Sequence, residues 1–135
     1  MPTLEEIYFK NIYEVVLSSD KLLSFSLENL SDNHFFDQPF AIVTAANPNN
    51  ILLSLSDNTH RNALLYSELN SKGVLSARGC HDGHCEDGYL IFNITLSDAL
   101  LLGQKYEQVA IFYNDSKKMM YVDCKNGEVM VERSR

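Results

Sequence analysis

The run Phe40-Ala41-Ile42-Val43-Thr44-Ala45 constrains this chain more than any other stretch. Apart from Thr44 it is apolar without alternation, and it stops at the turn-forming residues Asn47-Pro48-Asn49-Asn50. A short apolar run bounded in this way is the pattern of a central strand entering a loop. Downstream, Leu64, Leu65 and Leu69 repeat at helical steps from about Asn58, with Ser56 or Asp57 as a cap and Gly73 as a left-handed stop. Val74 to Ala77 is then strand-like. Tyr89 to Thr95 alternates around Leu90, Phe92 and Ile94, and the Gly-, Asp- and His-rich residues between them predict a hairpin with a long tip. Ser97-Asp98 offers a cap for a helix through Leu100, Leu101 and Tyr106. Val109 to Tyr113 and Met119 to Val122 follow as strands joined around Asn114-Asp115, and Glu128 to Val131 is a last strand after Asn126-Gly127.

From Phe40 onward the order is strand, helix, strand, strand, helix, strand. That order predicts an α+β protein, an α/β sandwich with a ferredoxin-like split βαβ core: an antiparallel sheet in the order 4-1-3-2 with both helices on one face. An extra N-terminal helix and strand and the C-terminal hairpin strands would be added to this core. The helix is signalled by the capping box Thr3-Leu4-Glu5-Glu6 and by Ile7, Tyr8, Ile12, Val15 and Val16 at three- and four-residue steps, up to Ser18-Ser19-Asp20. Alternation from Leu23 to Leu27 predicts the strand. In the polar segment from Glu28 to Asp37, Phe35 and Phe36 read as cover for the central strand, with a partner-contact patch at His34-Phe35-Phe36 as the other reading.

At 135 residues the chain suits one domain, 1–135, large enough to hold a core without a disulfide or a metal. A net charge of −7 disfavours nucleic acid as a partner, and the one base cluster, Lys117-Lys118 beside Asp115, reads as a solvated turn. No apolar run has membrane-spanning length, and Met1 to Glu6 lacks the basic start of a signal peptide, so the expectation is a cytoplasmic protein without a membrane partner. Three cysteines, Cys80, Cys85 and Cys124, in such a compartment are expected as free thiols, with a Cys80–Cys85 disulfide as the alternative.

In the predicted topology the polar residues of four segments share one end of the sheet: Asn47, then Asn58 and Asn62 one helical turn apart, then Glu86, then Gln108. Side-chain amides both donate and accept, and helix-start amides attract anions. The cluster therefore fits a small molecule, including a nucleotide or another anion, with Glu86 as the candidate general base if there is catalysis. The same residues also admit a plainer account. In it Asn47-Pro48 is a turn, Asn58 and Asn62 stitch loop backbone to the helix, and Glu86 pairs with Arg61 or Arg78. The acidic surface admits a third, a protein-interaction or inhibitory module with a basic protein partner and no catalysis.

Four separated pieces occur in order: Phe40 to Pro48; then Ser56, Asn58, Arg61, Asn62 and Leu65; then Glu86-Asp87-Gly88-Tyr89; then Tyr106 to Phe112. Together they resemble the bacterial domain of unknown function 3293 family over about residues 40–114. The resemblance implies no activity, but it supports the ligand-binding set Asn47, Asn58, Arg61, Asn62, Glu86 and Gln108. Where the family often carries tryptophan this chain has Ala46 and His84 and no tryptophan at all, so an aromatic pocket wall is either missing or supplied by Tyr89 or Phe36.

Gly79 to Glu86 packs Cys80, His81, His84 and Cys85 together, all zinc-binding types. The Cys-x4-Cys spacing has no second cysteine pair, and one short loop rarely supplies four tetrahedral ligands, so an exposed hydrophilic loop is the competing reading. Spacing places neither cysteine beside a histidine as a nucleophile. No phosphate-binding glycine loop, His-Glu-x-x-His or Gly-x-Ser-x-Gly is present.

Overall fold

The computed structural model describes residues 3–30, 33–69 and 73–135; Met1-Pro2, residues 31–32 and residues 70–72 lie outside the described residues. Thr3 Oγ1 accepts from the Glu6 amide at 3.2 Å and opens helix α1, Leu4–Lys10. Asn11 ends this helix, and the chain passes directly into strand β1, Ile12–Ser18. The single helix expected up to Ser18 is thus two elements. Over so short a stretch, helical steps and strand alternation select overlapping residues. Pairing with strand β2, Lys21–Phe25, and strand β4, Val74–His81, decides for the strand, with Tyr13 and Val15 turned inward.

Strand β3, Phe40–Val43, is buried along its whole length. Helix α2, Leu55–Glu68, starts earlier than the expected Asn58 because Ser54, not Ser56 or Asp57, is its cap, accepting from the Asp57 amide at 3.1 Å. Strand β5, His84–Phe92, follows β4. Helix α3, Leu96–Lys105, is capped by Thr95, and strands β6, Ala110–Asn114, β7, Lys118–Asp123, and β8, Val129–Ser134, complete the chain. No helix among the described residues is long and apolar enough to cross a membrane.

All strands pair antiparallel in one eight-stranded sheet of order β2-β1-β4-β5-β3-β6-β7-β8. This overturns the ferredoxin-like α/β sandwich: the described residues form a curled half-barrel with more strand than helix and three α-helices. Curvature can be read from the rings. Tyr13 on β1 and Tyr121 on β7 are five strand steps apart in the sheet, a distance of about 24 Å if it were flat. Their ring centroids are 6.2 Å apart. The physical reason is that the β1–β2 and β7–β8 hairpins extend both edges, and a twisted sheet of this width closes on its own apolar face.

That inner face holds an aromatic core of Tyr13, Phe25, Phe36, Phe40, Phe112 and Tyr121, packed mostly edge to face or tilted, with Phe25–Phe36 centroids at 5.1 Å and Tyr13–Phe112 at 5.0 Å. On the outer face α2 and α3 lay Leu65, Ala99 and Tyr106 over Ala41, Val43, Ile91, Ile111 and Val122.

The β4–β5 hairpin also departs from expectation. No long tip exists, because both strands run on to a two-residue turn, Asp82-Gly83, in which both residues have positive φ. Cys80 pairs with Cys85 in register and is disulfide-bonded to it, so those two thiols are not free; Cys124 is free and buried.

Candidate functional site

The site begins where β3 leaves the sheet. A Cβ on Gly88 would lie 2.6 Å from the Val43 carbonyl oxygen, so only glycine lets β5 close on β3 at this point. The carbonyl of the preceding residue, Asp87, accepts from Thr44 Oγ1 at 2.6 Å and from Asn62 Nδ2 at 2.9 Å. Beyond it, five successive backbone groups are each met by a side chain. Asn62 Oδ1 takes the Ala45 N–H at 2.9 Å, and Arg61 Nε donates to the Ala45 carbonyl at 2.6 Å. Thr44 Oγ1 takes the Ala46 N–H at 3.0 Å, Gln108 Nε2 donates to the Ala46 carbonyl at 3.0 Å, and Asn58 Oδ1 takes the Asn47 N–H at 2.9 Å. Irregular backbone buried between sheet and helix needs such partners, because the strand ladder has ended.

This knot delivers Asn47 in a left-handed conformation, φ 47°, which asparagine tolerates better than other non-glycine residues. Its Oδ1 accepts from Asn58 Nδ2 at 2.8 Å and from the Leu53 amide at 2.9 Å, and its Nδ2 donates to Glu86 Oε1 at 3.2 Å. Glu86 pairs with neither Arg61 nor Arg78. Arg61 reaches the Tyr106 carbonyl at 2.7 Å and Glu107 at 3.7 Å, and Arg78 reaches Glu14 at 2.6 Å.

A cavity of about 650 Å³ opens at this end of the inner face. Asn47, Glu86 and Gln108 line one wall, and Tyr8, Asn11, Tyr13, Phe112 and Tyr121 line the other. The six expected ligand-binding residues therefore divide. Asn58, Arg61 and Asn62 stand behind the wall and hold backbone; Asn47, Glu86 and Gln108 stand in it.

The family described as protein of unknown function (DUF3293) matches residues 43–111, just over half of the chain. The chain belongs to this family. No curated protein and no solved structure matches it. The DUF3293 segment contains the whole knot and the polar wall. Tyr8, Asn11, Tyr13, Phe112 and Tyr121 all lie outside it.

Burial raises the Glu86 pKa, and the Asn47 amide opposes that shift without cancelling it. Across the cavity, burial and then the charge of Glu86 push the Tyr8 hydroxyl up to about 12, so it stays protonated and able to donate at neutral pH. Tyr8 stacks on Tyr121 with centroids at 4.4 Å, and the Tyr121 hydroxyl accepts from Asn11 Nδ2 at 3.1 Å. A partly buried carboxyl facing phenols and amides can orient hydrogen-bonding ligands or pass a proton.

Neither residue expected to supply an aromatic wall does so. Phe36 is enclosed in the aromatic core, and Tyr89 packs on Tyr66 at 5.1 Å on the helix side. The aromatic wall was hidden from sequence reasoning by the single-helix reading of residues 7–18. The available signal was Asn11 followed by Ile12-Tyr13-Glu14-Val15-Val16, a helix stop and then a β-branched, aromatic run. The zinc reading also loses its ligand set. Cys80 and Cys85 are bonded to each other, and neighbouring strand residues face opposite ways, so the cysteines and the His81–His84 pair lie on opposite faces of the hairpin. Among the described residues no group of three or more His, Cys, Asp or Glu is placed to hold a metal.

Proposed function

We propose that this DUF3293 chain binds a small molecule in the inner-face cavity, with Asn47, Glu86 and Gln108 as its polar contacts and Tyr8, Tyr13, Phe112 and Tyr121 as its aromatic wall. One observation carries the reading: Glu86 holds a half-buried carboxyl at a cavity of ligand size and, among the described residues, is met by the Asn47 amide and by no cation. Structural ion pairs do not leave a carboxyl in that state, and functional sites do. If the ligand is a substrate, Glu86 is the acid–base group. A nucleotide or phosphate would need donors that Arg61 and Asn62 already direct to backbone carbonyls and Asn58 to the Asn47 side chain. Amide-resolved NMR titration with a panel of nucleotides, sugar phosphates, amino acids and amines tests the reading. The expected result is a ligand whose shifts centre on residues 8, 86 and 108 and disappear in Glu86→Ala; a panel that moves none of these amides refutes it.

A protein partner is the second reading, favoured by the open edge of β2, where Leu22 is 63% exposed on a chain of net charge −7. Capture of a basic partner that weakens as salt rises supports it, and salt-insensitive capture opposes it. We place the protein in the bacterial cytoplasm. There the Cys80–Cys85 pair would be held reduced, so thiol trapping in intact cells tests the location: trapped thiols fit it, and a persistent disulfide points to an oxidising compartment.

A further inference from the structure

We propose that the cavity takes a flat cation, an aromatic or heteroaromatic molecule bearing an amidinium, guanidinium or protonated amino group, with that group against Glu86 and its ring against the tyrosine wall. The inference rests on reading the cavity as a small-molecule site and adds the chemical class of the ligand.

The hydrogen-bond inventory of the wall is lopsided. The amide nitrogens beside the two acceptors each donate already: Asn47 Nδ2 to Glu86, Gln108 Nε2 with both hydrogens to the carbonyls of Ala46 and Tyr106, and Asn11 Nδ2 to the Tyr121 hydroxyl. The two acceptors are not engaged. Glu86 Oε2 has no partner among the described residues, and neither has Gln108 Oε1, whose position is fixed because the two carbonyls identify the nitrogen end of that amide. A ligand group set against Glu86 and Gln108 must bring N–H donors, while the Tyr8 hydroxyl across the cavity can donate to an acceptor elsewhere on the ligand.

Charge points the same way. Of the other charged side chains lining the cavity, Arg78 is paired with Glu14 and Asp82 with His81, while Glu86 has no cationic partner among the described residues; His84 stands exposed at the hairpin tip. A planar donor fork satisfies a carboxylate on both oxygens, and tyrosine rings attract cations through their faces. The net charge of −7 draws cations toward the molecule. An anion would meet Glu86 with no cation placed to offset it.

The test is a matched trio of probes, benzamidine, benzamide and benzoate, which share a ring and differ in the charge and donors of one group. Each is titrated into the full chain and into Glu86→Gln while amide shifts are followed by NMR. Benzamidine should perturb residues 8, 86 and 108 and bind about tenfold tighter than benzamide, with benzoate inert; Glu86→Gln should remove that advantage, bringing the benzamidine affinity to that of benzamide in the same variant. If the variant does not fold, an ionic-strength series on the native chain replaces it, and benzamidine alone should weaken with salt. Cavity shifts that favour benzoate, or a benzamidine affinity indifferent to Glu86 and to salt, overturn the cationic class but leave the cavity a binding site. Absence of shifts with all three overturns both.

Discussion

The two walls of the cavity are built by different means. The polar wall lies inside the DUF3293 segment, and side chains in it and behind it satisfy five successive backbone groups between Ala45 and Asn47. The aromatic wall is carried by α1, β1, β6 and β7, and α1 is only seven residues long, anchored by the Tyr8–Tyr121 stack and the Asn11 bond. The first wall is held by saturated, directional bonds and the second by ring contacts across a curled sheet. The difference separates two kinds of polar residue that look alike in sequence. Asn58, Arg61 and Asn62 have their groups engaged and build the corner, whereas Glu86 and Gln108 keep an acceptor facing the cavity.

The sharpest break of the polar wall is Asn62→Ala. It strips the buried Ala45 N–H of its side-chain partner and the Asp87 carbonyl of one of its two, Thr44 Oγ1 remaining, and it should cost about 2 kcal/mol in a denaturant titration with unchanged slope. A loss below about 1 kcal/mol would mean water replaces the side chain and the knot is not structural.

Tyr8→Ala addresses the other wall. Losing a partly buried ring from its stack should lower stability by about 2 kcal/mol, with hydrogen exchange rising first in α1 and β1 and the amides of residues 45–47 still protected. Equal deprotection of both regions would show that the walls are one cooperative unit.

At the hairpin tip, the double change Cys80→Ser with Cys85→Ser opens a small covalent loop and should lower stability by up to about 2 kcal/mol without altering the amide shifts of Asn47 or Gln108. Movement of those shifts would tie the tip to the polar wall.

The smallest effect belongs to Glu86→Gln, and its sign is opposite. The folded-state pKa of Glu86 lies above its ordinary value of 4.5, so folding disfavours the ionised form. That penalty is absent below pH about 4.5, grows as pH rises toward the folded-state pKa, and is constant above it. The variant should therefore melt slightly above the native chain at pH 7 and alongside it near pH 4. A variant that melts lower at pH 7 would make Glu86 a structural acceptor.

Much of this arrangement is legible in the residues. The strand at Phe40, the presence of helices around residues 58–68 and 98–105 and the turns at Asn47-Pro48 and Asn126-Gly127 follow from local patterning. The caps lie two residues or more earlier than expected, at Ser54 and Thr95 rather than Ser56 or Asp57 and Ser97-Asp98, because several neighbouring residues of capping type compete. A ferredoxin-like topology groups Asn47, Glu86 and Gln108, and the structure replaces that topology; they still meet, because β5, which carries Glu86 within it, pairs with β3 next to Asn47, and β3 pairs with β6 next to Gln108. Which amides were engaged by backbone could not be read, since a hydrogen bond from Asn62 to Ala45 depends on side-chain placement to a few tenths of an ångström.

Local chemistry along the chain decided where helices start, which strand is buried and which residues are polar at its end. Tertiary structure alone decided that residues 12–18 form a strand rather than a longer helix, that eight strands curl into a half-barrel rather than lie under a helical layer as a sandwich, and that Tyr8 and Tyr121, 113 positions apart, share a wall with Glu86. The reason is range. Caps and periodicity are settled within a turn or two of chain, whereas sheet width, curl and cavity walls are set by strand pairings and ring contacts between segments that sequence order does not place side by side.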